Sequence, residues 1–271
     1  MNDDRSYSTL MSVYGKEKPE FLRASIESVM NQTTPPNDFL IVCDGPLGTE
    51  LDKVLEILSR KYSEIRLLRL EKNLGLGEAL RLGLTQTKYE IVMRMDSDDI
   101  CFPRRAEKQL ALMNNFDLVG SWIVEFEGSE NNIIGERRVP ETFEKIYKFA
   151  LRRCPFNHPS VMFRKSIILA AGSYKPLPYV EDYYLWIRVL NTTRRVTNVQ
   201  EPLLKMRSGL VMRSRRGGKV YRKSLRWLRK YMLKEKMISY PKYLWIVLEQ
   251  TIFLLVPLKL KEFIYRKALR N

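Results

Sequence analysis

Three carboxylates stand within four residues, in the segment Asp96-Ser97-Asp98-Asp99. They follow Glu90 to Met95, an apolar run with one charged interruption that predicts a buried β-strand. Unpaired charge is strongly disfavoured inside a protein, so these groups need a cation, and hard oxygen ligands suit Mg²⁺ or Mn²⁺ bridging to phosphate oxygens. Ligands bind outside the carboxyl ends of strands in open α/β sheets, which is where this segment falls. The alternative is an Asp-rich helix cap before Pro103.

Two turns offer groups that a nucleotide binds. Asp44 ends an apolar run directly before Gly45 and Pro46, and its carboxylate can accept hydrogen bonds from a base or a ribose. The segment Asn73-Leu74-Gly75-Leu76-Gly77 joins the next strand to a helix, where backbone N–H groups approach a phosphate. The alternatives are that Asp44 only caps its turn, and that this glycine spacing is too weak a signal, since it falls short of a full dinucleotide fingerprint.

A pair of carboxylates, Glu181 and Asp182, opens an aromatic helical pattern that includes Trp186. Acidic residues are favoured at the start of a helix by its dipole, which is one interpretation. The other is a general base: Asp182 is ionised at neutral pH and takes a proton from a hydroxyl of a sugar stacked on the aromatic side chains. The only histidine, His158, is open to both a structural and a catalytic role.

Arginines and glycines recur in the segment from Arg207 to Gly218. The arginines Arg213, Arg215 and Arg216 carry guanidinium forks that bind phosphates bidentately. With the glycines, they predict a mobile loop that closes over a diphosphate. The alternative is a solvated basic loop.

The chain has 271 residues, enough for one large domain or for a domain with an appendage, and an ordinary apolar fraction of 45%. No charged start followed by an apolar region opens it, so no secretory signal is expected. The cysteines Cys43, Cys101 and Cys154 fit no zinc or disulfide framework, and a reducing cytoplasmic setting fits best.

The net charge of +16 belongs to the last quarter of the chain. Residues 205–271 hold 19 Lys or Arg and 3 Glu, whereas residues 1–204 hold 28 basic and 28 acidic residues. This asymmetry predicts a polyanionic partner, either nucleic acid or an anionic membrane surface. No recognised nucleic-acid motif accompanies the charge, so the membrane surface is favoured and no nucleic-acid partner is expected.

Two helical patterns near the end of the chain favour the membrane further. Lys219 to Lys236 predicts a basic amphipathic helix, whose apolar face consists of Tyr221, Leu225, Leu228 and Met232. Leu244 to Val256 is apolar, contains Glu249 and is shorter than the roughly 20 residues that span a bilayer. Its aromatic and basic flanks are typical of an interfacial segment. The alternative is an ordinary helix that packs on the domain.

Strands and helices alternate through the first half of the chain. The predicted strands are Ser8–Tyr14, Phe39–Asp44, Ile65–Leu70 and Glu90–Asp96. The predicted helices between them are Glu20–Met30, Thr49–Tyr62 and Gly77–Leu84. This alternation predicts a parallel sheet with right-handed crossovers. After Asp117 the pattern becomes mixed, with short strands near Leu118–Phe126, Ser160–Phe163 and Arg195–Val199.

Together these segments resemble family 2 of the inverting glycosyltransferases, which have the A-type nucleotide-diphospho-sugar transferase (GT-A) fold. The resemblance covers Ser8 to about Gly218 and rests on Ile41–Gly45, Asn73–Leu80, Met95–Asp99 and Glu181–Tyr183. His158–Met162 and Arg213–Gly218 are similar to members that build bacterial surface polysaccharides such as O-antigen, capsule or exopolysaccharide. The implied fold is α/β, with a parallel-to-mixed sheet and flanking helices. Residues 1–218 would form the catalytic domain and 219–271 a basic, amphipathic, membrane-associating segment.

The resemblance implies transfer of a hexose from a nucleotide-sugar, a UDP-hexose, to a polyprenyl diphosphate-linked saccharide. The implied donor-binding residues are Ser12, Tyr14, Asp44, Asn73, Gly75, Asp96 and Ser97. Asp98, with Asp96, would hold Mn²⁺ or Mg²⁺. Asp182 would be the base, with Glu181 beside it. The acceptor or its diphosphate would contact His158, Trp186, Arg213, Arg215 and Arg216. Such an enzyme would be peripheral, at the cytoplasmic face of a bacterial inner membrane.

One departure and two rival functions remain. Many relatives carry a histidine after the last core strand that helps to hold the metal; Met206-Arg207-Ser208-Gly209 has none, so Ser208 or water takes that position. A nucleotidyltransferase that makes sugar-nucleotides shares the fold type, but it would open with a Gly-rich basic loop, which Tyr14–Lys18 matches poorly. A basic nucleic-acid-binding protein would explain the charge of the last quarter but not the acidic motifs.

Overall fold

The computed structural model describes residues 6–208 and 218–255. Its first half repeats a strand and a helix: β1 (Tyr7–Val13), α1 (Pro19–Met30), β2 (Asp38–Cys43), α2 (Thr49–Lys61), β3 (Ile65–Arg69), α3 (Leu76–Gln86) and β4 (Ile91–Asp96). A mixed half follows: β5 (Ile100–Cys101), α4 (Arg105–Leu110), β6 (Leu118–Phe126), β7 (Ile133–Arg137), α5 (Phe143–Ala150), β8 (Met162–Arg164), α6 (Lys165–Ala170), α7 (Glu181–Thr192) and β9 (Val196–Arg207). The last two described helices are α8 (Lys219–Lys234) and α9 (Tyr240–Leu255).

A central sheet has the strand order β3-β2-β1-β4-β8-β6-β9-β5, with β7 paired to β6. Strands β3, β2, β1 and β4 pair in parallel. Strand β8 is antiparallel to both β4 and β6 and makes the sheet mixed. The predicted α/β fold, parallel first and mixed later, is confirmed. Because β1 lies between β2 and β4, the strand order reverses there, and such a reversal is where α/β sheets bind ligands.

Helices cover both faces of the sheet and bury two apolar clusters. The α1-side cluster lies under α1, α2 and α4 and includes Leu22, Leu55 and Ala106. The α7-side cluster lies under α3, α5, α7 and α8 and includes Leu80, Ile146, Ile187 and Leu228. Residues of β1 and β2 are buried on both sides of the sheet. Strands covered on both faces have nearly continuous apolar sequences, which is why these strands can be predicted from the sequence.

In the first half of the chain, the predicted helices and parallel strands agree with the observed ones to within two residues. The prediction ends β9 at Val199, but the strand continues to Arg207 through Pro202, which lies where the pairing with β6 shifts register. Proline is tolerated at such irregular positions because no regular ladder hydrogen bond needs its missing N–H. Strand β7 is not predicted from the sequence, because its residues are mostly half-buried and lack a clear apolar alternation.

The predicted amphipathic helix is present as α8, but its apolar face is covered by the protein. Leu228 and Met232 are fully buried in the α7-side cluster. Ile246 of α9 is buried in the same cluster, so at this residue the packed-helix alternative holds. The division of the chain at residue 218 stays a prediction. Within the residues that the structure describes, no helix is both long and apolar enough to cross a membrane.

A buried arginine fastens α8 to the end of α5. Arg229 donates hydrogen bonds from Nη1 to the Leu151 carbonyl at 3.0 Å and to Tyr183 Oη at 2.9 Å, and from Nη2 to the Arg152 carbonyl at 2.7 Å. The two carbonyls follow the C-terminal end of α5, where a cation also interacts favourably with the helix dipole.

We expect Arg229→Met to lower the free energy of unfolding by about 2–4 kcal/mol, because a charged donor is lost and buried acceptors stay unpaired. Urea denaturation of the full chain measures this. Arg226→Met, one turn earlier on the exposed face, is the matched control and should change stability by less than about 0.5 kcal/mol. Equal effects of the two substitutions would contradict the role of Arg229.

Candidate active site

The carboxyl ends of β1, β2 and β4 meet at one edge of the sheet. Ser12 of β1 pairs in register with Val42 of β2 and with Asp96 of β4. Tyr14 follows β1 and is 40% exposed, and Asp44 follows β2. The fold therefore brings together four predicted donor-binding residues from three separate segments of the chain.

The turns after β2 and β3 are joined through Asp44. Its Oδ1 accepts a hydrogen bond from the N–H of Leu74 at 2.7 Å, and its Oδ2 accepts one from the N–H of Gly75 at 3.0 Å. The side-chain amide of Asn73 donates to the Asp44 carbonyl at 3.2 Å. Gly45 has φ +84°, and a Cβ there would lie 2.6 Å from the Asn73 nitrogen, so only glycine fits. Two of the N–H groups expected to meet a phosphate, those of Leu74 and Gly75, are thus occupied by Asp44.

Asp96, Asp98 and Asp99 form one cluster, with a carboxylate oxygen of each within 4.8 Å of the others. Burial, together with the neighbouring Asp96 and Glu17 carboxylates, raises the pKa of Asp98 to about 7. Asp99 is buried, and its Oδ2 has no hydrogen-bond partner among the described residues. A divalent cation would satisfy this oxygen and remove the repulsion, since an opposite charge favours the ionised form. The donor set therefore fits Mg²⁺ or Mn²⁺.

Three charged residues that the sequence analysis did not assign to the site support this cluster. Arg94 is fully buried in β4 and forms an ion pair with Asp96. Glu17 accepts a hydrogen bond from Ser97 Oγ at 2.6 Å, so Ser97 is held by the loop after β1. Arg207 donates its N–H to Asp99 Oδ1 at 2.8 Å and its Nε–H to the Asp98 carbonyl at 3.1 Å.

Arg207 is the last residue of β9, although the sequence pattern predicts that it belongs to the basic loop. Its guanidinium lies over the rings of Phe21 and Phe126, 3.6 and 4.5 Å from their centroids, which fixes the side chain between two elements. The predicted loop arginines Arg213, Arg215 and Arg216 lie outside the described residues.

Two predicted acceptor-binding residues are placed differently from expectation. Trp186 is fully buried and packs edge-on against Phe156 and His158, so its predicted role as an acceptor contact is wrong. The sequence shows only that the segment is aromatic, whereas this face of α7 turns into the core. His158 Nε2 lies 3.0 Å from Tyr174 Oη. Burial and the nearby Arg94 hold the pKa of His158 well below its usual range, so the neutral ring brings no positive charge to a diphosphate.

Glu181 and Asp182 open α7 as predicted. Asp182 Oδ1 accepts a hydrogen bond from the Tyr183 N–H at 2.7 Å, and its Oδ2 lies 3.6 Å from Cys154 Sγ. Burial and the adjacent Asp182 raise the pKa of Glu181. Burial also raises the pKa of Tyr174. The carboxylates of Asp182 and Asp96 add to this effect and Arg94 opposes it, so Asp182 and Asp96 both influence the same phenol. The helix-start interpretation and the general-base interpretation are both compatible with this geometry.

An α/β sheet whose parallel strands end at such a carboxylate cluster is the architecture of GT-A glycosyltransferases. Residues 8–171 match the family described as glycosyl transferase family 2, and the chain belongs to this family. It is therefore a glycosyltransferase.

Similar proteins agree with this assignment. The amylovoran biosynthesis glycosyltransferase AmsE of Erwinia amylovora is 37% identical over 264 residues, covering 96% of this chain and 98% of the relative. The Escherichia coli UDP-Gal:alpha-D-GlcNAc-diphosphoundecaprenol beta-1,3-galactosyltransferase is 34% identical over 275 residues, covering 100% and 99%. The crystal structure of S. aureus TarS 1–349 with UDP-GlcNAc has a TM-score of 0.66 at 16% identity. That match covers 84% of this chain but only 66% of TarS 1–349, and it shows the fold alone.

Proposed function

We propose that this glycosyltransferase moves a hexose from a UDP-linked donor to a saccharide carried on a polyprenyl diphosphate, in the synthesis of a bacterial surface polysaccharide. The observation that carries the proposal is the meeting of the β1, β2 and β4 ends with the carboxylate cluster at one sheet edge. The names of the relatives support the substrate classes, since one belongs to amylovoran biosynthesis and the other uses UDP-Gal and a diphosphoundecaprenol-linked acceptor.

The donor lies across this edge of the sheet. Ser12 and Tyr14 contact the base from the end of β1, and Asp44, Asn73 and Gly75 form the wall beside it. Since both carboxylate oxygens of Asp44 already accept backbone hydrogen bonds, Asp44 shapes this wall and reaches the nucleotide only through its remaining lone pairs. Asp96 and Ser97 complete the donor site at the end of β4.

Asp98 and Asp96 are the residues that would hold Mn²⁺ or Mg²⁺. When bound, the ion supplies Lewis-acid neutralisation of the diphosphate. Arg207 positions the cluster through Asp99 and the Asp98 carbonyl. Ser208 follows it directly, is buried and has an Oγ without a hydrogen-bond partner among the described residues, which supports Ser208 as a further oxygen ligand in place of the absent histidine.

Asp182 acts as the general base. It takes the proton from an acceptor hydroxyl, whose oxygen bonds to the anomeric carbon on the face opposite the nucleotide. The bond between that carbon and the diphosphate breaks in the same displacement, and UDP leaves. A single displacement inverts the configuration, so an α-linked donor gives a β-glycoside. Glu181, with its raised pKa, is the alternative base.

The acceptor approaches from the α7 side, where His158 lies against Trp186. The arginines Arg213, Arg215 and Arg216 are the other proposed acceptor contacts. Because a polyprenyl diphosphate is held in a membrane, the enzyme works as a peripheral protein on the cytoplasmic face, where nucleotide-sugars are made.

A donor panel tests the function. Full-length protein is mixed with radiolabelled UDP-hexoses, one at a time, and an undecaprenyl diphosphate-sugar. We expect one donor to label the lipid, with a β-linkage in the product. A parallel reaction contains UTP and a hexose 1-phosphate; formation of a UDP-hexose there, with no labelled lipid in the donor panel, would instead show a nucleotidyltransferase.

A further inference from the structure

The outward side of α8 carries cations that the candidate active site does not use. Five of them, with one aromatic residue, line a groove of about 560 Å³: Lys219, Arg222, Lys223, Arg226, Lys230 and Trp227. Tyr243 of α9 completes the lining. No acidic side chain is among the described residues that line this groove, so its charge is uncompensated locally.

Helix geometry separates these cations from the core. Lys219, Arg222, Lys223, Arg226 and Lys230 recur at intervals of three or four residues and therefore share one face of α8. The opposite face carries Leu228 and Met232, which are buried. The sequence predicts a basic amphipathic helix that associates with a membrane, and in the structure its apolar face is covered by the protein. The cationic face is the one that points outward.

Helix α9 adds exposed apolar side chains. Tyr240, Leu244 and Leu248 recur every four residues and are 62%, 49% and 50% exposed, and Trp245 beside them is 57% exposed. The rings of Tyr240 and Tyr243 stack with centroids 6.3 Å apart, which connects this row to the groove. Large apolar side chains grouped at the surface mark interaction sites, whereas single ones do not.

We propose that this α8–α9 face binds the headgroup region of an anionic bilayer. The groove cations meet lipid phosphates, and Trp245, Leu244 and Leu248 enter the boundary between headgroups and acyl chains, as aromatic and aliphatic residues of interfacial helices do. This membrane contact rests on the proposed function and deepens it, because an acceptor held in a membrane requires an enzyme held at the membrane surface. It states which face of the protein makes the contact.

Charge neutralisation tests the groove. In co-sedimentation with vesicles at about 0.1 M salt, the full chain should bind phosphatidylcholine–phosphatidylglycerol vesicles and bind phosphatidylcholine vesicles weakly. Each Lys or Arg near an anionic surface strengthens binding about fivefold. The triple variant K223Q/R226Q/K230Q should therefore bind about 100-fold more weakly. Glutamine has nearly the helix propensity of these residues, so α8 is retained.

The control is K53Q/R60Q/K61Q on α2, which removes the same charge from the opposite face of the sheet and should leave vesicle binding unchanged. A second pair tests the apolar part of the face. Trp245→Ser should weaken vesicle binding about tenfold, whereas Ile57→Ser on α2, where the side chain is 53% exposed, should have no effect.

UDP binding by calorimetry should be the same in all four variants, which separates a lost membrane contact from misfolding. Equal vesicle binding by K223Q/R226Q/K230Q and its control would overturn the inference. Preferential binding of a single-stranded RNA, lost in the groove variant, would overturn it as well and assign the groove to nucleic acid. Failure to transfer any sugar would count against the proposed function and leave the vesicle result standing.

Discussion

Replacing Asp98 with alanine should reduce the rate of sugar transfer by at least ~10²–10³, the usual cost of one lost electrostatic stabiliser. Asp98 is the central proposed cation ligand. Without a cation its ionised form is disfavoured, since burial, Asp96 and Glu17 raise its pKa to about 7. The wild-type enzyme should lose activity in EDTA and regain it with Mn²⁺ or Mg²⁺. Full activity in metal-free buffer would contradict the assignment of a cation site to this cluster.

Stability distinguishes a lost ligand from a lost fold. The pKa of Asp98 is higher in the folded chain than in the unfolded chain, so in the metal-free protein ionisation costs stability as pH rises from about 4 through 7. Asp98→Asn removes that penalty and should be more stable than the wild type at pH ~8 without metal, yet inactive. The matched carboxylate control is Asp52→Ala. Asp52 lies on α2 in an exposed ion pair with Arg69 of β3, so this variant should retain activity.

Asp182→Asn should slow transfer by about 10²–10⁴, which is the contribution of a positioned general base. The substitution keeps an oxygen that can accept the Tyr183 N–H, so the start of α7 and the binding of UDP should be preserved. Single-turnover rates and calorimetric UDP titration measure the two properties separately. Glu181→Gln is the matched control and should have a smaller effect.

The pH profile assigns the base within the pair. The acid limb of kcat/KM should disappear in Asp182→Asn and remain in Glu181→Gln. If Glu181→Gln is the inactive variant and loses the acid limb, the roles are exchanged. The raised pKa of Glu181 would then place that limb above the usual range for a glutamate.

The parallel half of the fold is readable from sequence because its strands are covered on both faces and its helices have one apolar side. The carboxylate cluster is readable because its members are neighbours in the chain. Glu17 and Arg207 are not, since they reach the cluster from 80 and 109 residues away, through Ser97 Oγ and the Asp98 carbonyl. No local pattern distinguishes Arg207 from the other arginines near it.

Burial of individual side chains is the other property that sequence leaves open. Tyr179 and Trp186 lie in one aromatic segment, yet Tyr179 is 52% exposed whereas Trp186 is fully enclosed by the α7-side cluster. Arg229 belongs to a basic run whose other members face solvent. It is buried because the carbonyls of Leu151 and Arg152 accept hydrogen bonds from its guanidinium. In both cases the partner that decides the environment is distant in sequence.

The junction of the two turns at Asp44 also has a consequence for the proposed catalytic cycle. Asp44, Gly45, Asn73 and Gly75 are held to one another by contacts within the protein itself. Ordering a flexible side chain on binding costs about 0.5–1.5 kcal/mol. Here the Asp44 and Asn73 side chains are ordered during folding, so this free energy is not lost again when a ligand binds. In the proposed donor site, this wall would act as a permanent template: it would survive each release of UDP, and the next donor would meet the same surface without waiting for it to reassemble.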